Sequence, residues 1–127
     1  MRDFIGKRLC EIAQGIASAY RAECEVDLKR GSSTVINDPS LSRLVADATA
    51  EVLGEDAVVT RISSALMGSD DFANYADRIP GVYYFLCTNN PEKNIVESNH
   101  NPYFDVDESV LWRGVASYVS CAMEYLK

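Results

Sequence analysis

The chain has 127 residues, of which 47% are hydrophobic, so it is long and apolar enough to form one ordinary packed domain. Its formal net charge of −7 excludes a typical nucleic-acid-binding protein, because phosphate groups are bound by basic surfaces. The sequence has no apolar run near the roughly 20 residues of a membrane span and no signal-peptide pattern, so we expect a cytoplasmic protein without membrane or nucleic-acid partners.

The first part of the chain predicts one helix followed by one strand. Apolar residues recur at spacings of four and three on one helix face, namely Ile5, Leu9, Ile12, Ile16 and Tyr20. Residues 22–29 then alternate apolar and polar, which is typical of a strand with one buried face. A helix and one strand form no independent core, because a strand needs partners. We therefore expect further strands before residue 1 in the intact protein, or strands from another copy of the chain.

A second helix is predicted after a short Gly-Ser linker. Asp38 is a suitable N-cap, Pro39 fits the first helical position, and Gly54 fits the end. The apolar stripe of this helix consists of Leu41, Leu44, Val45, Ala48 and Val52. Residues 57–62 are predicted to form a short strand.

The remaining elements continue the alternation of helix and strand. A helix carrying Phe72, Tyr75 and Ala76 is followed by an apolar run over 82–87, which indicates a strand covered on both faces. Asp107 is expected to cap the last helix. The apolar stripe of that helix is expected to pack on the sheet, and it consists of Leu111, Val115, Tyr118, Ala122 and Leu126. The order favours an α/β fold, with helices on both faces of a parallel or mixed sheet.

The cysteines form no Cys-x-x-Cys pair. Each lies on an apolar face or within an apolar run, which favours buried free thiols in a reducing compartment. They are Cys10, Cys24, Cys87 and Cys121.

His100, the only histidine, lies at the end of a polar loop over 88–101. Its imidazole is either a metal ligand or a loop histidine hydrogen-bonded to a carboxylate. The nearby acidic side chains either accept from its ring N–H or favour the helix start, and they are Asp105, Asp107 and Glu108. One histidine does not make a catalytic zinc site, which usually has three protein ligands.

A second polar loop, residues 67–71, precedes the predicted third helix. The backbone N–H groups of Gly68, Ser69 and Asp71 are candidates for holding a substrate carboxylate. Because Asp70 and Asp71 are adjacent carboxylates, a capping role for this loop is an equal alternative. Asn37 either lines a cleft or belongs to a capped turn.

Four motifs in one order resemble a known family. They are Arg30-Gly31 with Val35–Pro39, then Met67–Ala73, then Pro80–Val82, then His100–Glu108. Together they resemble the C-terminal part of metal-dependent amidohydrolases of the hippurate hydrolase and indoleacetyl-amino-acid hydrolase kind, within the aminoacylase and zinc carboxypeptidase group.

The resemblance implies a fold and a division of the chain. Residues 1–33 correspond to the last helix and strand of an α+β, ferredoxin-like lid or dimerisation domain. Residues 34–127 correspond to the C-terminal part of a zinc-exopeptidase-like α/β catalytic domain.

The resemblance also implies a reaction, the hydrolysis of N-acyl amino acids or peptides by a metal-activated water with a glutamate as general base. The metal is zinc, manganese, nickel or cobalt. Only His100 matches a family ligand, because the His-x-Cys-Gly-His-Asp stretch and the Glu-Glu pair of the family are absent here. Asp70 stands where the family usually has Glu, so no role is transferred to it.

Three hypotheses about function follow. The first is a C-terminal fragment of such an enzyme, inactive alone and holding no metal tightly. The second is a non-catalytic dimerisation or interaction module. The third is one chain of a split enzyme that associates with an N-terminal half. The expected partners are the small-molecule substrate of the complete enzyme and either a second copy of the chain or that half.

Overall fold

The structure is a computed structural model that describes residues 1–60 and 66–127. The chain divides into two compact units, Met1–Gly31 and Ser32–Lys127. The α-helices of the described residues are α1 (Arg2–Ala19), α2 (Pro39–Leu53), α3 (Ala73–Ala76) and α4 (Leu111–Tyr125). None of these helices is long and apolar enough to cross a membrane.

The first unit consists of α1 and a segment that folds back along it. The chain reverses after the helix, where Arg21 has a positive φ of 57°. Leu28 then lies against Gly6, Arg30 pairs with Asp3, and the folded-back segment packs on one side of the helix. The helix predicted from the apolar spacing between Ile5 and Tyr20 is confirmed by α1.

The apolar stripe of α1 is poorly covered within its own unit. The side chains of Ile5, Leu9, Ile12 and Ile16 are between 50% and 58% exposed. The strand predicted over 22–29 is wrong, since these residues form no regular element. A strand is defined by ladder hydrogen bonds to a neighbour, and the described residues supply none to this segment.

The second unit is organised by the packing of α2 against α4. Asp38 caps α2 by accepting from the backbone N–H groups of Ser40 at 3.0 Å and Leu41 at 2.9 Å. A further hydrogen bond from the Ser40 hydroxyl is the main cause that lowers the pKa of Asp38. Gly54 ends the helix with a φ of 91°, so the predicted boundaries are confirmed.

Small residues form the contact between α2 and α4. Ala48 and Ser117 are buried, and the hydroxyls of Thr49 and Ser117 lie 2.7 Å apart. Cys121 follows one turn after Ser117, and its thiol lies 3.9 Å from the carbonyl oxygen of Val45. The prediction that α4 buries its large apolar stripe is wrong, because Val115, Tyr118 and Leu126 are all more than 60% exposed. The face of small residues packs instead, since it allows the two helices to approach closely.

The segment over 82–87 has the side-chain alternation of a strand but no ladder. Tyr83 and Phe85 contact each other edge to face at 5.4 Å. On the opposite side, Tyr84 lies 5.8 Å from the ring of Tyr118, and Leu86 lies close to Gly114. The backbone groups of residues 84–87 have no partner among the described residues. The strand predicted over 82–87 is therefore wrong for the described residues, because the segment forms no ladder hydrogen bonds with them.

Asn37 takes the place of a neighbouring strand at Tyr83. Its side-chain amide donates to the Tyr83 carbonyl oxygen and accepts from the Tyr83 N–H, both at 2.8 Å. The next residue, Asp38, donates its N–H to the Gly81 carbonyl oxygen at 3.0 Å. Asn37 is thus a structural residue that joins the start of α2 to the extended segment.

Several other predictions need correction. The strand over 57–62 is not seen at residues 57–60, where a 3₁₀ turn over Glu55–Ala57 precedes irregular chain, and residues 61–62 lie outside the described residues. The helix after Asp71 has only four residues. The described residues therefore show helices without a sheet rather than the expected α/β alternation, because no two extended segments among them pair.

The cysteines are free, as predicted, but they are not all buried. Cys24 and Cys87 are exposed, while Cys10 and Cys121 are half-buried. The two exposed thiols lie in the two segments that were expected to be strands, and the described residues provide no sheet to cover them.

Candidate functional site

The residues from Thr88 to Asp107 form a loop whose two ends meet, and we call it the His100 loop. Its first part contains a 3₁₀ turn over Pro91–Lys93, which the Asn90 side chain caps by accepting from the Glu92 N–H at 3.1 Å. An antiparallel bridge joins Asn90 to Ile95. The Asp107 N–H donates to the Thr88 carbonyl oxygen at 2.9 Å and closes the loop.

Asp107 is a buried carboxylate, 4% exposed, with a full set of partners. Its Oδ1 accepts from the Lys93 Nζ at 2.6 Å and from the Ser109 hydroxyl at 2.7 Å. Its Oδ2 accepts from the Asn90 Nδ2 at 2.6 Å. The hydrogen bond from Lys93 is the largest cause that holds the pKa of Asp107 far below its usual value. As predicted, Asp107 is a capping residue, since the 3₁₀ turn Glu108–Val110 that it caps leads directly into α4.

His100 lies at the exposed tip of this loop. Its backbone has a φ of 70°, a left-handed conformation that histidine adopts more readily than most residues. No described residue forms a hydrogen bond with its ring, so the alternative of a carboxylate-bonded histidine is not realised here. Asp107 is fully engaged elsewhere, and Asp105 accepts from the Val106 N–H at 2.8 Å.

The turn around His100 is held by the next residue. Asn101 donates from its Nδ2 to Glu97 Oε2 at 2.7 Å and accepts from the Tyr103 N–H at 2.8 Å. The Phe104 N–H also donates to the Asn101 carbonyl oxygen at 3.0 Å. The imidazole is therefore presented to solvent from a backbone with its own internal hydrogen bonds.

The described residues do not by themselves fit a divalent metal ion. They contain no group of three or more His, Cys, Asp or Glu side chains placed to hold one. Asp107, the nearest buried carboxylate in sequence, uses both oxygens on protein donors. This chain offers one exposed imidazole, which is fewer protein ligands than catalytic zinc sites usually have.

The loop over residues 67–71 is exposed except at Asp70. Asp70 Oδ1 accepts from the Phe72 N–H at 2.8 Å, and Oδ2 accepts from the Tyr83 hydroxyl at 3.0 Å. This hydrogen bond to Asp70 is the main cause that raises the pKa of Tyr83. Asp70 therefore has the capping role that was expected as the alternative to substrate binding. Gly68 and Ser69 are exposed, and no described residue accepts a hydrogen bond from their N–H groups.

Asp71 lies beside α3, where it lines a shallow cleft of about 420 Å³ with Asn74, Tyr75 and Arg78. With four residues, α3 has too small a dipole to favour an anion strongly. Among the described residues, no hydrogen bond or ion pair joins this loop to His100.

Sequence reasoning missed two residues that shape the site, Asn90 and Lys93, and for Asn37 it missed the partner. Asn90 and Lys93 hold the base of the His100 loop through Asp107, and Asn37 holds Tyr83. The Asn90-Pro91 pair was a local signal for a capped turn. Lys93 carries no such signal, because its partner is 14 residues away.

Residues 5–124 match peptidase family M20/M25/M40. The chain is 36% identical over 111 residues to an uncharacterized hydrolase of Sinorhizobium fredii, covering 87% of this chain and 27% of that protein. It is 30% identical over 115 residues to thermostable carboxypeptidase 1 of Saccharolobus solfataricus, covering 90% and 28%. It is 31% identical over 124 residues to an IAA-amino acid hydrolase of Arabidopsis thaliana, covering 94% and 28%.

The chain spans somewhat more than a quarter of the length of each of these relatives. No solved structure shows significant similarity to it. Nearly all of the first unit and of the second unit falls inside the family match. The chain therefore belongs to peptidase family M20/M25/M40.

Proposed function

We propose that this chain is part of a metal-dependent hydrolase of linear amides, with N-acyl amino acids such as hippurate, or peptides, as substrates. The observation that carries the proposal is the family match over residues 5–124. The names of two relatives, a carboxypeptidase and an IAA-amino acid hydrolase, both denote hydrolysis of an amide bond next to an amino acid. We propose that the bound metal is zinc, manganese, nickel or cobalt.

His100 is the metal ligand that this chain contributes. Its exposed position, its left-handed backbone and the absence of a described partner for its ring support this assignment. Gly68, Ser69 and Asp71 are the substrate-binding candidates, supported by the exposure of their loop. Because the described residues supply only this one ligand, we assign no reaction step to the chain and expect it to be inactive alone.

We also propose a place for the chain in the complete enzyme. Membership of the M20 family fits a zinc-exopeptidase-like fold. Residues 34–127 would form the C-terminal part of its α/β catalytic domain, and residues 1–33 the last helix and strand of a lid domain. The separation of Met1–Gly31 from Ser32–Lys127 supports this division. If the reading frame of the same gene continues upstream and encodes a His-x-Cys-Gly-His-Asp stretch, the chain is the C-terminal part of one polypeptide. If a separate gene encodes that stretch, the split enzyme is favoured.

The activity test uses the purified chain with hippurate and a dipeptide, each with added zinc, manganese or cobalt. We expect no turnover and no stoichiometric metal, because a single imidazole does not fix a catalytic ion. Tight zinc that is lost in His100→Ala, or hydrolysis that copurifies with the chain, would contradict the proposal. In the complete hydrolase, His100→Ala should abolish both metal retention and activity, whereas Ser98→Ala at an exposed position of the same loop should not.

Association is a second candidate function, favoured by the exposed apolar stripe of α1. We propose that the first unit pairs with a second copy of the chain or with an N-terminal half of the enzyme. Sedimentation at micromolar concentration should show a dimer of the purified chain, and Ile12→Asp on the stripe should shift it to monomer. Gln14→Asp, on the polar face of the same helix, is the control. A wild-type monomer at this concentration would count against pairing with a second copy.

A further inference from the structure

Asp107 is the one charged residue of the described ranges that is buried. Burying a carboxylate is costly unless it is paired and hydrogen-bonded, so its partners show what the burial achieves. A helix start alone needs only an acceptor for nearby N–H groups, which Asp38 provides while only half-buried. Asp107 has partners beyond those of a cap.

These additional partners all come from the beginning of the His100 loop. The N–H of Asp107 donates to the Thr88 carbonyl oxygen at 2.9 Å. Its two carboxylate oxygens accept separately from Asn90 and Lys93, each at 2.6 Å. Asp107 therefore holds three positions at the beginning of the loop, Thr88 through its backbone N–H and both Asn90 and Lys93 through its carboxylate, and the base of the loop is held closed.

The His100 side chain has no comparable support of its own. Its ring contacts no hydrogen-bonding partner among the described residues, and its turn is held only by hydrogen bonds within the loop. The place from which the imidazole is presented therefore depends on the backbone of the loop. The position of that backbone in turn depends on the base that Asp107 closes.

We propose that Asp107 is a positioning residue for His100, which acts by closing the base of the His100 loop with Asn90 and Lys93. The inference rests on the proposed function, because the position of the ring matters for ligating a metal ion. Ligating groups must be held to within about half an ångström, and loss of a supporting contact typically lowers metal affinity about 10- to 100-fold.

The test uses the full chain and needs no metal. His100 is the only histidine, so its ring signals in an NMR spectrum are assigned without ambiguity. In Asp107→Asn we expect amide exchange over residues 94–106 to rise about tenfold or more, and the His100 ring signals to sharpen as the loop gains mobility. The amides of α2 and α4 should stay protected.

Asp105→Asn is the matched control, since this carboxylate lies in the same loop but is exposed and accepts only from the neighbouring Val106 N–H. It should leave the His100 signals unchanged. If Asp107→Asn does not fold, Lys93→Met removes the hydrogen bond from the exposed Lys93 to Asp107 and tests the same base. Lys93→Arg keeps a donor at this position and should give the wild-type signals.

An unchanged loop, or loss of protection spread equally over α2 and α4, in both Asp107→Asn and Lys93→Met would overturn the proposal. The proposed function fails by a different result, namely full metal retention by His100→Ala in the complete hydrolase. The two failures are distinguishable because the exchange measurement does not depend on a metal.

Discussion

Two carboxylates, Asp38 and Asp107, use the same local arrangement. In both, the residue two positions later is a serine whose N–H and hydroxyl donate to one carboxylate oxygen. Both arrangements lower the pKa of the aspartate, since they stabilise its ionised form. Such contacts span two residues, which is why the sequence predicted both caps correctly.

The lowered pKa of Asp107 makes stability depend on pH. Its folded-state pKa lies below the ordinary value of 3.8, so its contribution is fully present above that value and is lost as the pH falls towards the folded-state pKa. We expect Asp107→Asn to be less stable than wild type at pH 6, with a difference that shrinks below about pH 4. Urea unfolding of both proteins from pH 6 to pH 2.5 measures this. A constant difference across that range would contradict the expectation.

Other residues of the site were not readable from sequence. The contacts of Asn90 and Lys93 with Asp107 span 17 and 14 residues, and that of Asn37 with Tyr83 spans 46. Sequence patterns report local preference, whereas these pairs depend on how the chain returns to itself. His100 is a candidate because it is the only histidine and lies in a recognisable motif.

At the scale of elements, the helices were predictable and the strands were not. The ends of α2 follow from Asp38, Pro39 and Gly54, and a helix satisfies its own backbone. The segments at 22–29 and 82–87, which were predicted to be strands, need backbone partners that no other described segment supplies. The packed face of α4 was also missed, because Ser117 and Cys121 do not stand out as core residues in a hydropathy pattern.

The close approach of α2 and α4 predicts sensitivity to side-chain volume. Ser117 is 3% exposed and touches Thr49 and Tyr84, so Ser117→Leu would force the helices apart. We expect a loss of about 1–3 kcal/mol in the free energy of unfolding. Val119→Leu, at an exposed position of the same helix, should change it by less than about 0.5 kcal/mol. Equal stability of the two variants in chemical denaturation would contradict the packing described for this pair.

At the scale of the whole molecule, an unusually large area remains in contact with solvent. The accessible surface is 10905 Å², whereas a folded monomer of 14.0 kDa has about 6,700 Å². Much of the excess is apolar, and it includes Ile16 on α1, Tyr20 directly after it, and Val115 and Met123 on α4. Folding therefore removes only about 70% of the area that an ordinary domain of this size removes.

This surface predicts a weak dependence on denaturant. The urea m-value scales with the area exposed on unfolding, so it should be about 30% lower than that of typical two-state domains of the same length. The m-value should be measured at concentrations at which sedimentation shows a monomer, because association would bury additional area and raise the m-value. An m-value in the ordinary range would mean that the chain alone covers its apolar faces.

The pairing of Asn37 with Tyr83 has a consequence for growth into fibres. An extended segment with two open edges can add a strand on each side and so propagate from chain to chain. At Tyr83 one edge is occupied by the Asn37 amide, so an incoming strand cannot add on that side. Asn37→Ala should remove this block and yield thioflavin-positive fibrils, while Asn74→Ala should not. If the wild-type chain forms fibrils as fast as Asn37→Ala, the amide is no barrier. If the wild-type chain forms dimers and no longer assemblies, Asn37 terminates amyloid-like polymerisation.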